Sequence, residues 1–173
     1  FNPGDELSFT GGLDIVLGPT NALTMDVIYA RNEADKVADR TIFKAGDKWV
    51  FNLRYQQSFD FNMLEMLARY RTRGRNTRII LGLLQEEAVK TSVTEFEFLA
   101  RYIMRFSQEW RLEVFLEGQS FQSTPTLPPV NLGGLGIKPT YHFSNQLSLP
   151  FRLKYASGTF TGFEIAAGLA FRF

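Results

Sequence analysis

Apolar and polar residues alternate along most of this chain with a period of two. In residues 95–106, aromatic residues at even positions alternate with odd positions of which four are charged: Glu95, Glu97, Arg101 and Arg105. Residues 6–18 show the same period of two. A period of two puts successive side chains on opposite faces of a strand, whereas a helix would scatter these aromatic residues around its circumference. The pattern therefore predicts β-strands that are apolar on one face and polar on the other.

The alternation and the turn sequences between the runs predict eleven antiparallel strands. We place them at residues 6–18, 23–29, 41–45, 48–56, 64–71, 78–86, 95–106, 110–119, 134–143, 147–155 and 163–173. Residues 41–45 are weakly patterned and are included because a tight-turn sequence, A-G-D-K, joins them to the next strand. Residues 64–70 also fit a helix, and the run 79–84 is apolar on both faces, so its periodicity is ambiguous.

Strand length and aromatic placement favour a membrane barrel over a soluble sheet. A soluble barrel or sandwich would also alternate, but its strands are usually about 5 to 6 residues long, and aromatic residues here cluster near strand ends. Tight turns at residues 18–21, 45–48, 73–76, 107–109 and 144–146 alternate with connections that are mostly longer. Short turns on the periplasmic side and longer loops outside are typical of outer-membrane barrels.

The predicted fold is an all-β, antiparallel, up-and-down transmembrane β-barrel formed by a single domain over residues 1–173. Bacterial single-chain barrels have even strand numbers, so eleven strands imply a barrel of about twelve that lacks its first strand, or an upstream N-terminal region outside this sequence. The alternative is ten strands, with residues 31–47 as one long loop.

The last residues, F-E-I-A-A-G-L-A-F-R-F, supply a family resemblance. Gly168 followed by aromatic residues at the third-last and last positions, Phe171 and Phe173, resembles the C-terminal signal by which Gram-negative outer-membrane barrels are recognised for insertion. Ala166 stands where that signal usually has a polar residue. The resemblance implies a place in the bacterial outer membrane, contact with membrane lipid and lipopolysaccharide, and the insertion machinery as a partner.

Composition excludes several classes of function. The chain has 19 basic and 18 acidic residues, a balance that argues against a nucleic-acid-binding surface. It has no cysteine, which excludes disulfides, thiol catalysis and cysteine metal sites. No apolar run approaches the roughly 18 residues of a spanning helix. We expect no cofactor and no metal site.

Charged residues of both signs fall on the polar face of neighbouring strands and are the candidate pore-lining set. Its members are Glu65, Arg69, Arg71, Arg78, Glu95, Glu97, Arg101, Arg105, Arg111, Glu113, Glu117, Lys138, Arg152, Lys154, Glu164 and Arg172. They could line a pore that selects small polar solutes, or form ion pairs that fill the interior. Barrels of about eight strands are filled by side chains and those of about sixteen hold a channel, so twelve leaves both alternatives open.

Two short motifs suggest other chemistry. His142, Ser144 and Asn145 form H-x-S-N, which is similar to the His-x-Ser core of outer-membrane phospholipases and lipid A deacylases. The similarity covers three residues in a predicted periplasmic turn, whereas those lipases work at the outer leaflet, so we expect no enzyme. The run G-G-L-G at 133–136 lacks the helix and the Lys-Ser/Thr pair of a phosphate loop, and its glycines are expected to leave room for bulky neighbours.

Three functions remain as expectations. The first is a porin-like passive channel, or the membrane-spanning part of an export or conduit assembly. The second is a plugged barrel that anchors or presents other structures in the cell envelope, and a lipid-modifying enzyme is third. A partner subunit or an upstream domain would supply what precedes Phe1.

Overall fold

The structure, a computed structural model, describes residues 2–87, 91–122 and 128–172. These residues form fourteen strands: β1 (Glu6–Gly18), β2 (Asn21–Asn32), β3 (Ala34–Val37), β4 (Arg40–Lys44), β5 (Lys48–Phe59), β6 (Asn62–Arg73), β7 (Thr77–Ile80), β8 (Leu83–Glu86), β9 (Val93–Arg105), β10 (Trp110–Gln122), β11 (Val130–His142), β12 (Leu147–Gly158), β13 (Gly162–Ala167) and β14 (Ala170–Phe171). In the described part of the chain, no helix is long and apolar enough to cross a membrane.

The long strands form one antiparallel sheet in the order β1-β2-β5-β6-β9-β10-β11-β12-β13, with β14 also pairing with β12. Each of these strands pairs with the next long strand along the chain, so the predicted all-β, antiparallel, up-and-down arrangement is confirmed. Residues 62–73 form a strand paired on both sides, which settles the helix alternative for that segment. Within the described residues, β1 and β13 do not pair with each other, and the sheet is open.

A second sheet, β3-β4-β7-β8, carries two of the predicted strands, so the main sheet has nine long strands among the described residues and not eleven. Residues 41–45 fall in the hairpin β3-β4. Residues 78–86 are two short strands joined by a two-residue turn, in which Leu81 and Gly82 both have positive φ. A turn of this kind suits a hairpin, and it explains why a run that is apolar on both faces is not one strand.

The predicted tight turns do not all lie at one end of the main sheet, because two of the predicted strands belong to the second sheet. The turns 19–20, 60–61, 106–109 and 143–146 lie at one end, here called the turn end. The segments 33–47 and 74–87, including the predicted tight turns 45–48 and 73–76, lie at the opposite end, here called the connection end. Residues 31–47 thus join β2 to β5 as in the ten-strand alternative, but they contain a hairpin.

The predicted closing strand, 163–173, is interrupted at Gly168 and Leu169. The register does not shift, because Phe151 pairs with Ala167 and Leu147 with Phe171. Opposite the break stands Pro150, whose carbonyl accepts the Gly168 N–H at 3.1 Å but which has no N–H to return the bond. Of the three residues of the insertion signal, Phe173 lies outside the described residues.

In the middle of the main sheet, the charged face is more buried than the apolar face. Leu53 and Phe151 on the apolar face are 42% and 41% exposed, whereas Glu65 and Glu113 on the charged face are 2% and 6% exposed. The buried apolar residues Ala30, Val50, Ile103 and Phe115 also lie on the charged face. No second layer of the described residues packs on the sheet. This polarity is the reverse of a soluble domain.

Candidate functional site: the charged face of the main sheet

Glu65 is the centre of an ion-pair network that crosses four strands. Its Oε1 lies 2.7 Å from Nη2 of Arg54 on β5, and its Oε2 accepts from the guanidinium of Arg101 on β9. Arg101 Nη1 also lies 3.6 Å from Glu113 Oε1 on β10. A buried carboxylate between two guanidinium groups is held by charge-assisted hydrogen bonds. Arg54 was absent from the predicted set, although the alternation of β5 already puts it on the polar face.

A second network joins β10, β12 and β13. Glu117 pairs with Lys154 and lies 3.2 Å from Arg152. Both cations also approach Glu164, at 3.6 Å from Lys154 and 3.7 Å from Arg152. The guanidinium carbon of Arg152 is 4.9 Å from the ring centroid of Phe115, a cation–π distance.

The second network depends on two glycines of β11, the strand between β10 and β12. A Cβ at Gly134 would lie 2.9 Å from Lys154 Cε and 3.1 Å from Glu117 Cγ. A Cβ at Gly136 would lie 2.7 Å from the carbonyl oxygen of Leu153 and would collide with the Phe115 ring. The expectation that these glycines leave room for bulky neighbours is confirmed.

Two further ion pairs of the main sheet lie nearer the connection end. Arg71 Nη2 lies 2.9 Å from Glu95 Oε2, and Arg69 Nη1 lies 3.6 Å from Glu97 Oε2. Arg78 lies apart from the rest of the predicted set, because β7 belongs to the second sheet, where Arg78 is 3.8 Å from Glu87. A cavity of about 670 Å³ extends over the middle of the charged face, between Asp26, Arg69 and Lys154.

The turn end of the charged face holds the remaining cations of the set. A cavity of about 1210 Å³ there is lined by Arg105, Arg111, Lys138 and Arg172. Among the described residues, none of these four lies within 4.0 Å of a carboxylate oxygen. Glu109 is the one acidic residue of the described lining, so the four cations make the cavity basic.

The H-x-S-N motif lies on the rim of this cavity. The Ser144 hydroxyl accepts the backbone N–H groups of Gln146 and Leu147 at 3.2 and 3.1 Å, so it caps the turn between β11 and β12. In the described part of the chain, His142 and Ser144 share no side-chain hydrogen bond, and no three acidic or histidine side chains are grouped to hold a metal ion. The Ser107 hydroxyl, 2.7 Å from the Glu109 carboxylate, holds the pKa of Glu109 below its ordinary value.

Aromatic side chains form two rows on the apolar face. At the connection end, Tyr29 lies between Phe9 and Trp49, with ring centroids 6.5 and 4.5 Å apart. At the turn end, Tyr141 lies between Trp110 and Phe143, at 5.0 and 4.8 Å. The sequence predicted aromatic residues near strand ends, and pairing across strands brings them together.

Asp47 anchors the connection to the second sheet, a role the sequence did not signal. Its carboxylate accepts the Tyr29 hydroxyl at 3.0 Å and the Asn32 N–H at 3.3 Å, and lies 3.4 Å from Lys44 Nζ. Burial raises the pKa of Asp47, but these hydrogen bonds and the lysine outweigh burial and hold the pKa below its ordinary value of 3.8.

Comparisons with known proteins report on the fold alone. No protein-family model matches this chain, and no curated protein matches its sequence. Among solved structures, the chain is similar to a mutant of the ferric enterobactin receptor PfeA from Pseudomonas aeruginosa, with a TM-score of 0.65 and 12% identity over 95% of this chain. The chain spans 30% of the length of that receptor, and the likeness shows the fold that the two share.

Proposed function

We propose that this chain forms part of the wall of an outer-membrane β-barrel, with its apolar face against lipid and its charged face toward the lumen. The observation that carries the proposal is the reversed polarity of the main sheet, which buries Glu65 at 2% exposure and leaves Phe151 at 41%. In water, such a sheet would expose a continuous apolar surface. In a membrane, lipid covers this apolar surface, and the charged groups contact one another or the water of the lumen.

The spacing of the two aromatic rows supports the membrane assignment. On β5, Trp49 and Phe59 lie ten residues apart on the same face, about 33 Å along a strand at roughly 3.3 Å per residue. Strands of such barrels tilt by about 40°, which shortens the span to about 25 Å, the height of the apolar band of an outer-membrane barrel.

The open edges of the main sheet support a barrel completed by further strands. Backbone N–H and C=O groups at the edges of β1 and β13 would have no partner within lipid, and each such group is costly there. We therefore propose that strands of a longer chain or of a partner subunit pair with both edges. The receptor of similar fold, of which this chain spans 30%, is consistent with a larger barrel.

The lumen-facing charges support a path for polar solutes, as a passive channel or as part of a conduit assembly. The turn-end cavity of about 1210 Å³ and the mid-face cavity of about 670 Å³ both lie along this face. We assign no cofactor and no enzymatic role, and we expect membrane lipid, lipopolysaccharide and the insertion machinery as partners.

The buried Glu65 network favours a second candidate, a plugged barrel that anchors other structures. The charges of this network pair with one another across β5, β6, β9 and β10 and therefore do not face a solute. Under this alternative, neutralising Arg101 with Arg101→Gln loosens the fold and leaves permeability unchanged. In the channel, the same variant changes ion selectivity.

The two tryptophans allow a direct test of the membrane assignment. Trp49 lies in the aromatic row at the connection end and Trp110 in the row at the turn end. Trp110→Phe and Trp49→Phe each leave one tryptophan in this chain, and any tryptophan of the completing strands is replaced by phenylalanine in both variants. In vesicles containing brominated lipids, we expect both to be quenched most strongly by bromines near the headgroups, and an iodide quencher confined to one side of the vesicle to reach only one of the two. Fluorescence that brominated lipid does not change would refute the proposal.

A further inference from the structure

Two arginines face each other at the turn end of the charged face. Arg105 on β9 is directly opposite Arg111 on β10, and Arg111 is directly opposite Thr140 on β11. Lys138 lies two residues from Thr140 on the same face of β11 and lines the same cavity. Like charges directly opposite on neighbouring strands destabilise a sheet, so this row costs the protein stability unless something compensates the charge.

The neighbouring carboxylates do not supply that compensation. Elsewhere on this face, Arg54, Arg71 and Arg152 each lie within 4.0 Å of a carboxylate. Glu113 is directly opposite Lys138 in the strand register, but their charged atoms are more than 4.0 Å apart; Glu113 lies 3.6 Å from Arg101 instead, toward the middle of the sheet. Glu109 at the rim accepts from the Ser107 hydroxyl.

Unpartnered polar atoms line the same cavity. Thr140 is 3% exposed, and its hydroxyl has no hydrogen-bond partner in the described part of the chain; the same holds for the buried Nε of Arg111. Buried polar groups in native proteins are nearly always hydrogen-bonded, to protein, to ordered water or to a bound ion. A hydroxyl donor and two guanidinium groups around one cavity are the donors that an oxyanion requires.

We propose that the turn-end cavity binds a small oxyanion, a phosphate or carboxylate group, between Arg105, Arg111 and Lys138, with the Thr140 hydroxyl as a further donor. Bidentate hydrogen bonds from the two guanidinium groups suit the planar or tetrahedral oxygens of such an anion. The proposal rests on the proposed function for its biological meaning, since it makes anionic solutes the class that the lumen attracts at its turn-end mouth.

The test is the anion-dependent stability of the assembled barrel to which this chain belongs, folded in detergent micelles. Unfolding is followed in rising pyrophosphate at an ionic strength held constant with sodium chloride. We expect the unfolding midpoint to rise with pyrophosphate, because a ligand that binds only the folded state stabilises it. Arg105→Gln and Arg111→Gln are each expected to weaken binding at least tenfold, and Thr140→Val, which keeps the side-chain shape, several-fold.

Two comparisons make the test specific. Arg69→Gln removes an arginine of the same face that is 3.6 Å from Glu97, and should leave the pyrophosphate effect intact. Without pyrophosphate, Arg105→Gln should be at least as stable as the parent protein, because it removes the like-charge pair. A parent protein that responds to pyrophosphate no more than to chloride would overturn the proposal, as would an unchanged response in both arginine variants.

Direct titration of the parent protein by ³¹P NMR gives a second measurement that needs no variant. Binding should broaden or shift the pyrophosphate resonance, and an unaffected resonance contradicts the site. Both anion experiments are done in detergent, so a negative result would reject the anion site without affecting the membrane assignment, which is tested by tryptophan quenching in lipid. Conversely, absent lipid quenching with a positive anion response would reject the membrane assignment and keep the site.

Discussion

Lys154 on β12 and Glu117 on β10 form an ion pair across β11, the strand that lies between them in the sheet. The pair can close because β11 has glycine at 134, where a side chain would meet Lys154 Cε at 2.9 Å. Long cations and small residues on alternate strands thus fill the charged face together. Gly136, the next glycine on this face of β11, is packed as tightly, so a side chain there should destabilise the fold.

Gly136→Ala is expected to destabilise the fold by about 1 to 3 kcal/mol, the usual cost of overpacking. Its new methyl group would stand 2.7 Å from the Leu153 carbonyl oxygen, which is backbone and cannot move alone. Gly133→Ala on the same strand is the control, because its nearest contact is 3.9 Å away. Urea unfolding in detergent measures both, and equal midpoints would contradict the packing described.

Glu65→Gln should cost about 1.5 to 3 kcal/mol, the usual worth of a hydrogen bond to a charged group, because the Arg54 and Arg101 side chains are 53% and 31% exposed and stay partly solvated. The substitution leaves the Arg54 and Arg101 guanidinium groups facing each other around a neutral amide. Glu97→Gln is the matched control: its side chain is 38% exposed and its partner Arg69 is 52% exposed, so a loss below about 1 kcal/mol is expected. Denaturant unfolding measures the loss of unfolding free energy in both variants. An equal loss in Glu97→Gln would contradict the central role assigned to Glu65.

Leu53→Arg tests which solvent the apolar face meets. Leu53 is in the middle of β5 and 42% exposed. In a lipid bilayer, arginine near the midplane of a barrel costs about 2 to 4 kcal/mol, whereas surface substitutions in water usually change stability by less than about 0.5 kcal/mol. Phe61→Arg, at a turn and 79% exposed, is the control. Unfolding from vesicles should show a large loss for Leu53→Arg alone, and a loss of similar size in both variants would argue against the assignment.

Asp47 should make the connection end sensitive to acid. Its folded pKa lies below 3.8, so its contribution to stability is complete above the unfolded pKa and is lost as pH falls through the folded one. Amide hydrogen exchange of β3 and β4 between pH 6 and 2 should show this loss. Asp47→Asn should lower protection at pH 6 and flatten the pH dependence. Tyr29→Phe, which removes one hydrogen bond to the carboxylate, should move the transition to higher pH; no movement would contradict the assigned contact.

The alternation of the long runs predicted most of the main sheet correctly. Eight of the predicted runs are single strands of the main sheet, and the run 163–173 belongs to it with an interruption at Gly168 and Leu169. The side chains assigned to the polar face lie on the charged face, except for Arg78. Period two is a local property of the backbone, so it is readable without knowing the partners of a strand. The glycines of β11 were likewise expected to make room for neighbours.

Two segments were misassigned for the same reason. Residues 41–45 and 78–86 were assigned to the main sheet because of their apolar residues. Which sheet a strand joins, however, depends on which neighbouring strand has free backbone hydrogen-bonding groups. The strands formed here are four or five residues long, much shorter than the long strands of the main sheet, and they pair with each other. The interruption at Gly168 also depends on Pro150, a residue eighteen positions away.

The sequence by itself determined that this protein consists of antiparallel strands with one apolar and one charged face, because that information lies in neighbouring residues. Only the tertiary structure decided the number of strands in the main sheet, the partners of each charge, and the Arg105–Arg111 row without a carboxylate. Those features follow from register, and register is set by pairing between residues far apart in the chain.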